Sequence, residues 1–147
     1  MGKRRRAREM ALLFLYQQEF QRGDLEESLK AFWRERATSG EIKSFAEELV
    51  LGVKENQEII DTQISRAAEH WSLSRIALVD RNIIRIATYE LLFRDDTPQK
   101  VALNEAIELA KIYGTSDSSR FVNGVLDQIR ASRNGALRKP HDSDPVV

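Results

Sequence analysis

The residues best suited to chemistry stand at the start of the chain, and all of them are basic. Six positions there hold five positive charges, on Lys3, Arg4, Arg5, Arg6 and Arg8. Such a cluster binds the phosphates of a nucleic acid when a rigid element holds it in place. Similar clusters also occur in solvated basic tails and localisation signals. Both interpretations stay open, and the pattern favours nucleic-acid binding.

An apolar stretch directly after the cluster predicts the rigid element. The residues from Met10 to Tyr16, MALLFLY, are apolar on every side of a helix, which is typical of a helix buried by its neighbours. Positive charges at the N-terminus of a helix are electrostatically unfavourable. We therefore expect the arginines to serve binding, and we expect their removal to leave the stability unchanged.

Composition narrows the class of protein. The first eight residues of the 147 carry five of the 23 positive charges and none of the 23 negative charges, so the positive charge is local. The absence of cysteine excludes disulfides and thiolate metal sites, and it fits a reducing cytoplasm. No apolar run is long enough to span a membrane or to form a signal peptide, so we expect a cytoplasmic protein.

Catalysis has little support in the sequence. The chain has no glycine-rich phosphate loop and no HExxH or GxSxG motif, and its two histidines are far apart. Glu105 and Glu108 could share one face of a helix as a carboxylate pair, although surface or ion-paired glutamates explain them as well. We predict no enzyme, no metal and no cofactor.

Helical periodicity dominates the chain, and no convincing alternating strand occurs. The pattern predicts an all-α fold, a compact bundle of about seven helices with its core centred on Ile76 to Leu91. Asp24, Asn56, and Ser116 or Asp117 are candidate helix caps. The predicted helical domain covers residues 1–133, and residues 134–147 have the composition of a disordered tail.

A polar turn at residues 114–123, GTSDSSRFVN, leads into the last predicted helix. Asp117 is either a cap or a ligand for a base amino group, and Phe121 is either a core residue or a stacking platform. Asn123 needs a polar partner, which could be RNA or a neighbouring loop. Gly124 is expected at a close contact between helices.

Four segments together resemble the NusB family of bacterial antitermination factors, in the same order and over nearly the whole chain. These motifs are fairly specific when they occur together. The segments are RRRAREMALLFLYQ (4–17), VDRNIIRIATYELL (79–92), PQKVALNEAIELAKIYG (98–114) and FVNGVLDQI (121–129). A similar domain stands at the N-terminus of some rRNA cytosine methyltransferases.

The resemblance implies a non-enzymatic helical protein that binds RNA. The family binds the boxA element of nascent ribosomal RNA together with NusE, a small-subunit ribosomal protein, in an antitermination complex on RNA polymerase. Carried over by position, the middle helix with Asp80, Arg81 and Glu90 would face NusE. The resemblance does not decide whether the chain forms a homodimer.

The predicted RNA-binding set combines backbone charge, aromatic stacking and base-reading polar groups. It consists of Lys3, Arg4, Arg5, Arg6, Arg8, Tyr16, Asp117, Phe121 and Asn123. The alternative is a non-catalytic protein-interaction scaffold, or an accessory domain like that of the methyltransferases, in which the basic start is only solvated.

Overall fold

The computed structural model describes residues 2–135, with side chains as far as residue 133. Within this range the chain forms seven α-helices and no strand, which confirms the all-α prediction. A single 3₁₀ turn, Leu73–Arg75, precedes the fifth helix. The helices are α1 (Lys3–Gln18), α2 (Leu25–Arg34), α3 (Gly40–Glu55), α4 (Gln57–Ala67), α5 (Leu78–Phe93), α6 (Gln99–Tyr113) and α7 (Ser118–Gly135).

Helix α5 lies at the centre of the bundle and contacts α1, α3, α4, α6 and α7. Its apolar side chains point to several sides at once, and Ile83, Ile84, Ile86 and Leu91 are all buried. A helix surrounded in this way needs apolar residues on more than one face. The prediction of a core centred on this part of the chain is confirmed.

Local capping signals set where the outer helices begin. The Asp24 carboxylate accepts a hydrogen bond from the Glu27 backbone N–H at 2.9 Å, as the sequence predicts for the start of α2. Ser39 does the same for α3, because its hydroxyl accepts from the Ile42 N–H at 3.2 Å. The sequence predicts Asn56 as the cap of α4, but its amide donates to the Gly52 carbonyl at 2.9 Å and so closes α3 instead.

The last helix differs from the prediction in two details. Gly124 does not sit at a close helix contact, because it is exposed and no atom lies within 4 Å of where its Cβ would stand. Helix α7 also extends to Gly135, two residues beyond the predicted boundary. The prediction of a disordered tail otherwise falls on residues 136–147, outside the described part of the chain.

A charge introduced into α5 should unfold the bundle. Ile83 is fully buried, so Ile83→Asp would bury a carboxylate without a partner and should destabilise the fold by roughly 3 kcal/mol or more. The matched control is Ile59→Asp on α4, where the side chain is 52% exposed and the charge stays in water. Thermal melts followed by circular dichroism should separate the two variants, and equal melting temperatures would contradict the assigned core.

Candidate nucleic-acid interface

The five cations at the start of the chain, called the basic segment below, form the first two turns of α1. This helix start has neither a side-chain cap nor an acid in its first turn, so nothing local offsets the positive end of the helix dipole. Four of the acids that pair with the cations come from elsewhere in the fold, and the fifth, Glu9, stands later in α1 itself. Each cation has a carboxylate of its own: Lys3 pairs with Glu41, Arg4 with Asp96, Arg5 with Glu105, Arg6 with Glu9 and Arg8 with Glu90.

Arg8 and Glu90 form an ion pair inside the protein. Two hydrogen bonds, of 2.9 and 2.7 Å, join the guanidinium of α1 to the carboxylate of α5. The side chains are only 5% and 1% exposed, and the Thr97 hydroxyl adds a third bond to Glu90 at 3.2 Å. Two buried charges satisfied in this way position the helices that carry them.

Arg5 makes a similar two-bond pair nearer the surface. Its guanidinium donates to both oxygens of Glu105 at 3.0 and 2.8 Å, and this bonding lowers the pKa of the Glu105 carboxyl and raises that of Arg5. Glu105 also lies 3.9 Å from Arg8. Glu108 pairs with Lys111 instead, so the two glutamates on α6 do not act as a carboxylate pair.

Lys3, Arg4 and Arg6 remain the accessible members of the basic segment, since about half of each side chain or more is exposed. The Arg4 guanidinium stacks 4.0 Å from the centre of the Phe45 ring, and that of Arg94 lies 5.0 Å from the same ring. These residues and Lys3 line an open cavity of about 430 Å³. The sequence prediction does not include Arg94, which follows α5, because no local pattern brings it next to α1.

The prediction that the arginines can be removed without loss of stability is therefore wrong for one of them. Arg8 is a structural residue in this fold, because its guanidinium is buried and points to Glu90 and Glu105. Its predicted contact with RNA stays a prediction, and so does that of Arg5. The sequence could not distinguish the buried arginine from the exposed ones, since all five stand in one run.

The second predicted part of the interface surrounds the start of α7. Asp117 immediately precedes α7, where its carbonyl accepts from the Phe121 N–H at 3.1 Å. Its carboxylate is exposed and has no hydrogen-bond partner in the described part of the chain. Phe121 is half-buried and lies edge-on to Trp71, with ring centres 6.4 Å apart. Asn123 is also half-buried, one turn inside the helix.

Trp71 completes a pocket that the sequence did not reveal. It is 50% exposed, and with Phe121, Asp117 and Asp80 it lines a cavity of about 320 Å³. One oxygen of the buried Asp80 carboxylate has no hydrogen-bond partner among the described residues. An exposed tryptophan is unusual enough to be a candidate for binding.

Tyr16 lies near the other end of α1 from the basic segment. Its ring stands edge-on to that of Phe20, with centres 5.2 Å apart, and both rings are exposed. This pair provides an aromatic surface at the end of α1, with Tyr16 on the helix and Phe20 in the turn that follows it. The sequence prediction includes Tyr16 and does not include Phe20.

The residues predicted to face a protein partner are mostly engaged within the chain. Glu90 is buried against Arg8, and Asp80 is buried at the wall of the Trp71 pocket. Arg81 donates to the Leu73 carbonyl at 3.0 Å and to Glu19 at 3.3 Å. In this arrangement the three side chains do not form one exposed surface.

Two further kinds of site are not found in the described residues. None of the described helices combines the length and the apolar character that a membrane crossing requires. Between residues 2 and 133, no three acidic or histidine side chains come together as metal ligands would.

The sequence matches the NusB family model over residues 5–131. The chain belongs to the NusB family. It is 51% identical over 132 residues to the transcription antitermination protein NusB of Trichlorobacter lovleyi, covering 89% of this chain and 92% of that protein. It is 47% identical over 135 residues to the same protein of Geobacter sulfurreducens, covering 90% and 96%.

Solved structures of NusB proteins have the same fold. The T. maritima NusB structure matches with a TM-score of 0.79 at 46% identity, over 87% of this chain and 90% of that one. A crystal structure of the antitermination factors NusB and NusE in complex with dsRNA matches with a TM-score of 0.80 at 28% identity, over 90% and 98%. The resemblance of the four sequence segments to the NusB family is confirmed.

The buried ion pair between Arg8 and Glu90 leads to a prediction about the stability of the fold. Arg8→Ala would leave Glu90 buried without its partner, so we expect a loss of roughly 3–5 kcal/mol in unfolding free energy. Replacing both residues with apolar ones, as Arg8→Met with Glu90→Leu, should recover much of the loss. The control Lys3→Ala removes an exposed cation and should keep the melting temperature. Urea denaturation measures all three, and an unchanged midpoint for Arg8→Ala would contradict a structural role.

Asp96 gives a pH prediction. Its hydrogen bonds with Arg94 lower the pKa of the carboxyl from 3.8 to about 2. A carboxyl whose pKa is lower in the folded than in the unfolded protein stabilises the fold at any pH above the unfolded-state pKa. This stabilisation is lost as the pH falls from the unfolded-state pKa to the folded-state pKa. We expect an NMR titration of Asp96 with a midpoint near 2, and we expect Asp96→Asn to weaken the pH dependence of stability between about pH 4 and pH 2. A midpoint near 3.8 would show that the pairing with Arg94 does not persist in solution.

Proposed function

We propose that this chain is an RNA-binding transcription antitermination factor. It binds the boxA element of nascent ribosomal RNA together with NusE, and it supports processive rRNA transcription in the antitermination complex on RNA polymerase. It acts in the cytoplasm and catalyses no reaction. The observation that carries the proposal is the NusB match over residues 5–131, which includes Arg5, Arg6 and Arg8 of the basic segment and the segment FVNGVLDQI.

The interface geometry supports this proposal and narrows the contacts. Lys3, Arg4 and Arg6 are exposed on one rigid helix, so they are our first candidates for RNA phosphates. The pocket of Phe121 and Trp71 has the aromatic surface that an unpaired base stacks on. Asp117 beside it has a free carboxylate that can accept from a base amino group, and Asn123 adds a second polar group.

NusE is the proposed protein partner. Arg81 would have to release Glu19 before it contacts the partner, and Asp80 lies at the wall of the pocket proposed for the base. Glu90 would act indirectly, by holding α1 against α5. A partner increases the affinity for one RNA, because two linked half-sites benefit from a high effective concentration.

A protein-interaction scaffold is the second candidate, and one observation favours it. All five cations of the basic segment are already paired with carboxylates, which reduces the attraction for phosphate. The two proposals differ in whether the exposed cations contribute to RNA affinity.

The test is binding of a boxA-type single-stranded RNA, with and without NusE, as a function of salt. Changing Lys3, Arg4 and Arg6 together to Ala should lower the affinity at least about tenfold. The slope of log affinity against log salt should shrink by about 0.7 for each phosphate that the variant no longer binds. The variant should stay folded, because Arg5 and Arg8 keep their partners. Its melting temperature should fall, because Arg6→Ala leaves the buried Glu9 carboxylate with the Tyr113 hydroxyl but without its cation.

Lys54→Ala is the matched control, since it removes an exposed cation from α3, away from the basic segment. Binding to NusE without RNA should survive in the triple variant. If the triple variant and its parent bind RNA equally with the same salt slope, the scaffold is the better description.

A further inference from the structure

We propose that Glu41 and Asp96 limit the RNA affinity of this chain by occupying the cations that the phosphates need. This inference rests on the proposed function and adds the residues that tune it. The two carboxylates come from α3 and from the loop after α5, and they hold Lys3 and Arg4 in the absence of RNA. RNA binding at the basic segment is then an exchange of carboxylate partners for phosphate partners.

The charges of the paired state support an exchange. The five cations of the basic segment face five carboxylates, so the segment has no net charge with its partners in place. An RNA strand approaching this surface meets as many negative groups as positive ones. The steering that a patch of five free cations would give is therefore largely absent.

The five pairs differ in how easily they can be exchanged. Glu41 and Asp96 have side chains 74% and 51% exposed, so water replaces the departing cation at little cost. The pairs of Arg5 and Arg8 have carboxylates that are 16% and 1% exposed and two hydrogen bonds each, and they stay closed. The Arg6 pair stays closed as well, because the Glu9 carboxylate is only 6% exposed and would be buried without its cation. The exchange is therefore confined to the outer end of the segment.

Asp96 is especially suited to release Arg4, because it binds a second arginine, Arg94, more closely. Arg94 holds both of its oxygens at 3.1 and 2.9 Å, while Arg4 reaches it only at 3.4 Å. When Arg4 turns to a phosphate, Asp96 keeps Arg94 as its counterion. Arg4 is already supported on the Phe45 ring, so its guanidinium stays positioned during the exchange.

The inference predicts that removing a carboxylate strengthens RNA binding. Glu41→Gln and Asp96→Asn keep the shape of each side chain and remove its charge. We expect each variant to bind a boxA-type single-stranded RNA about two- to fivefold more tightly than the parent. In Asp96→Asn the increase should come from Arg4, because Glu48 still holds the Arg94 guanidinium at 2.6 Å in that variant. The slope of log affinity against log salt should steepen by up to about 0.7 for each additional phosphate that is bound.

The matched control is Glu27→Gln on α2. It changes the net charge of the chain by the same amount and also releases a lysine, Lys30, from an exposed pair. Fluorescence anisotropy at several salt concentrations measures the parent, the two variants and the control. A thermal melt of each protein checks that all are folded.

Each outcome decides a different question. Tighter binding by the two variants but not by the control supports the inference. If the parent binds RNA and the variants bind equally well, or if the control gains as much as they do, the inference is overturned while the proposed function stands. If neither the parent nor any variant binds RNA, with or without NusE, both are overturned.

Discussion

The ion pair between Arg8 and Glu90 is the interaction on which the arrangement of the N-terminal surface depends. It joins the first helix to the central one with two hydrogen bonds inside the protein. Because α5 also contacts α3, α4, α6 and α7, this pair orients the start of α1 relative to the whole bundle. A charged pair this deeply buried orients the two helices that it joins, and this effect is more dependable than a net gain in stability. The exposed cations therefore have defined positions even though they stand at the very start of the chain.

This arrangement divides one run of basic residues into two groups. The inner arginines, Arg5 and Arg8, hold α1 against α6 and α5, and the outer cations stay exposed on the surface. The first turn of α1 has no acid, and most of the carboxylates that offset the positive end of its dipole come from other helices and from the loop after α5. A positive run at a helix N-terminus is thus compatible with a stable fold when the acids come from tertiary neighbours.

The aromatic part of the interface depends on packing in the same way. Trp71 follows α4 and Phe121 belongs to α7, so about fifty residues separate two rings that share one pocket. The turn that leads into α7 is closed by Ser118, whose hydroxyl accepts from the Thr115 N–H at 2.9 Å. Asp117, just before Ser118, lines the pocket, and its carboxylate has no hydrogen-bond partner among the described residues.

The sequence by itself determined the all-helical fold, the central place of α5 and the family, because periodicity and motif order are local properties of the chain. The cap at Asp24 follows from the same kind of signal. Only the tertiary structure decided which arginines are buried, that Trp71 is exposed and that Gly124 is free of close contacts. Charge pairing and burial depend on residues up to a hundred positions apart, such as Arg5 and Glu105, and no local pattern encodes such distances.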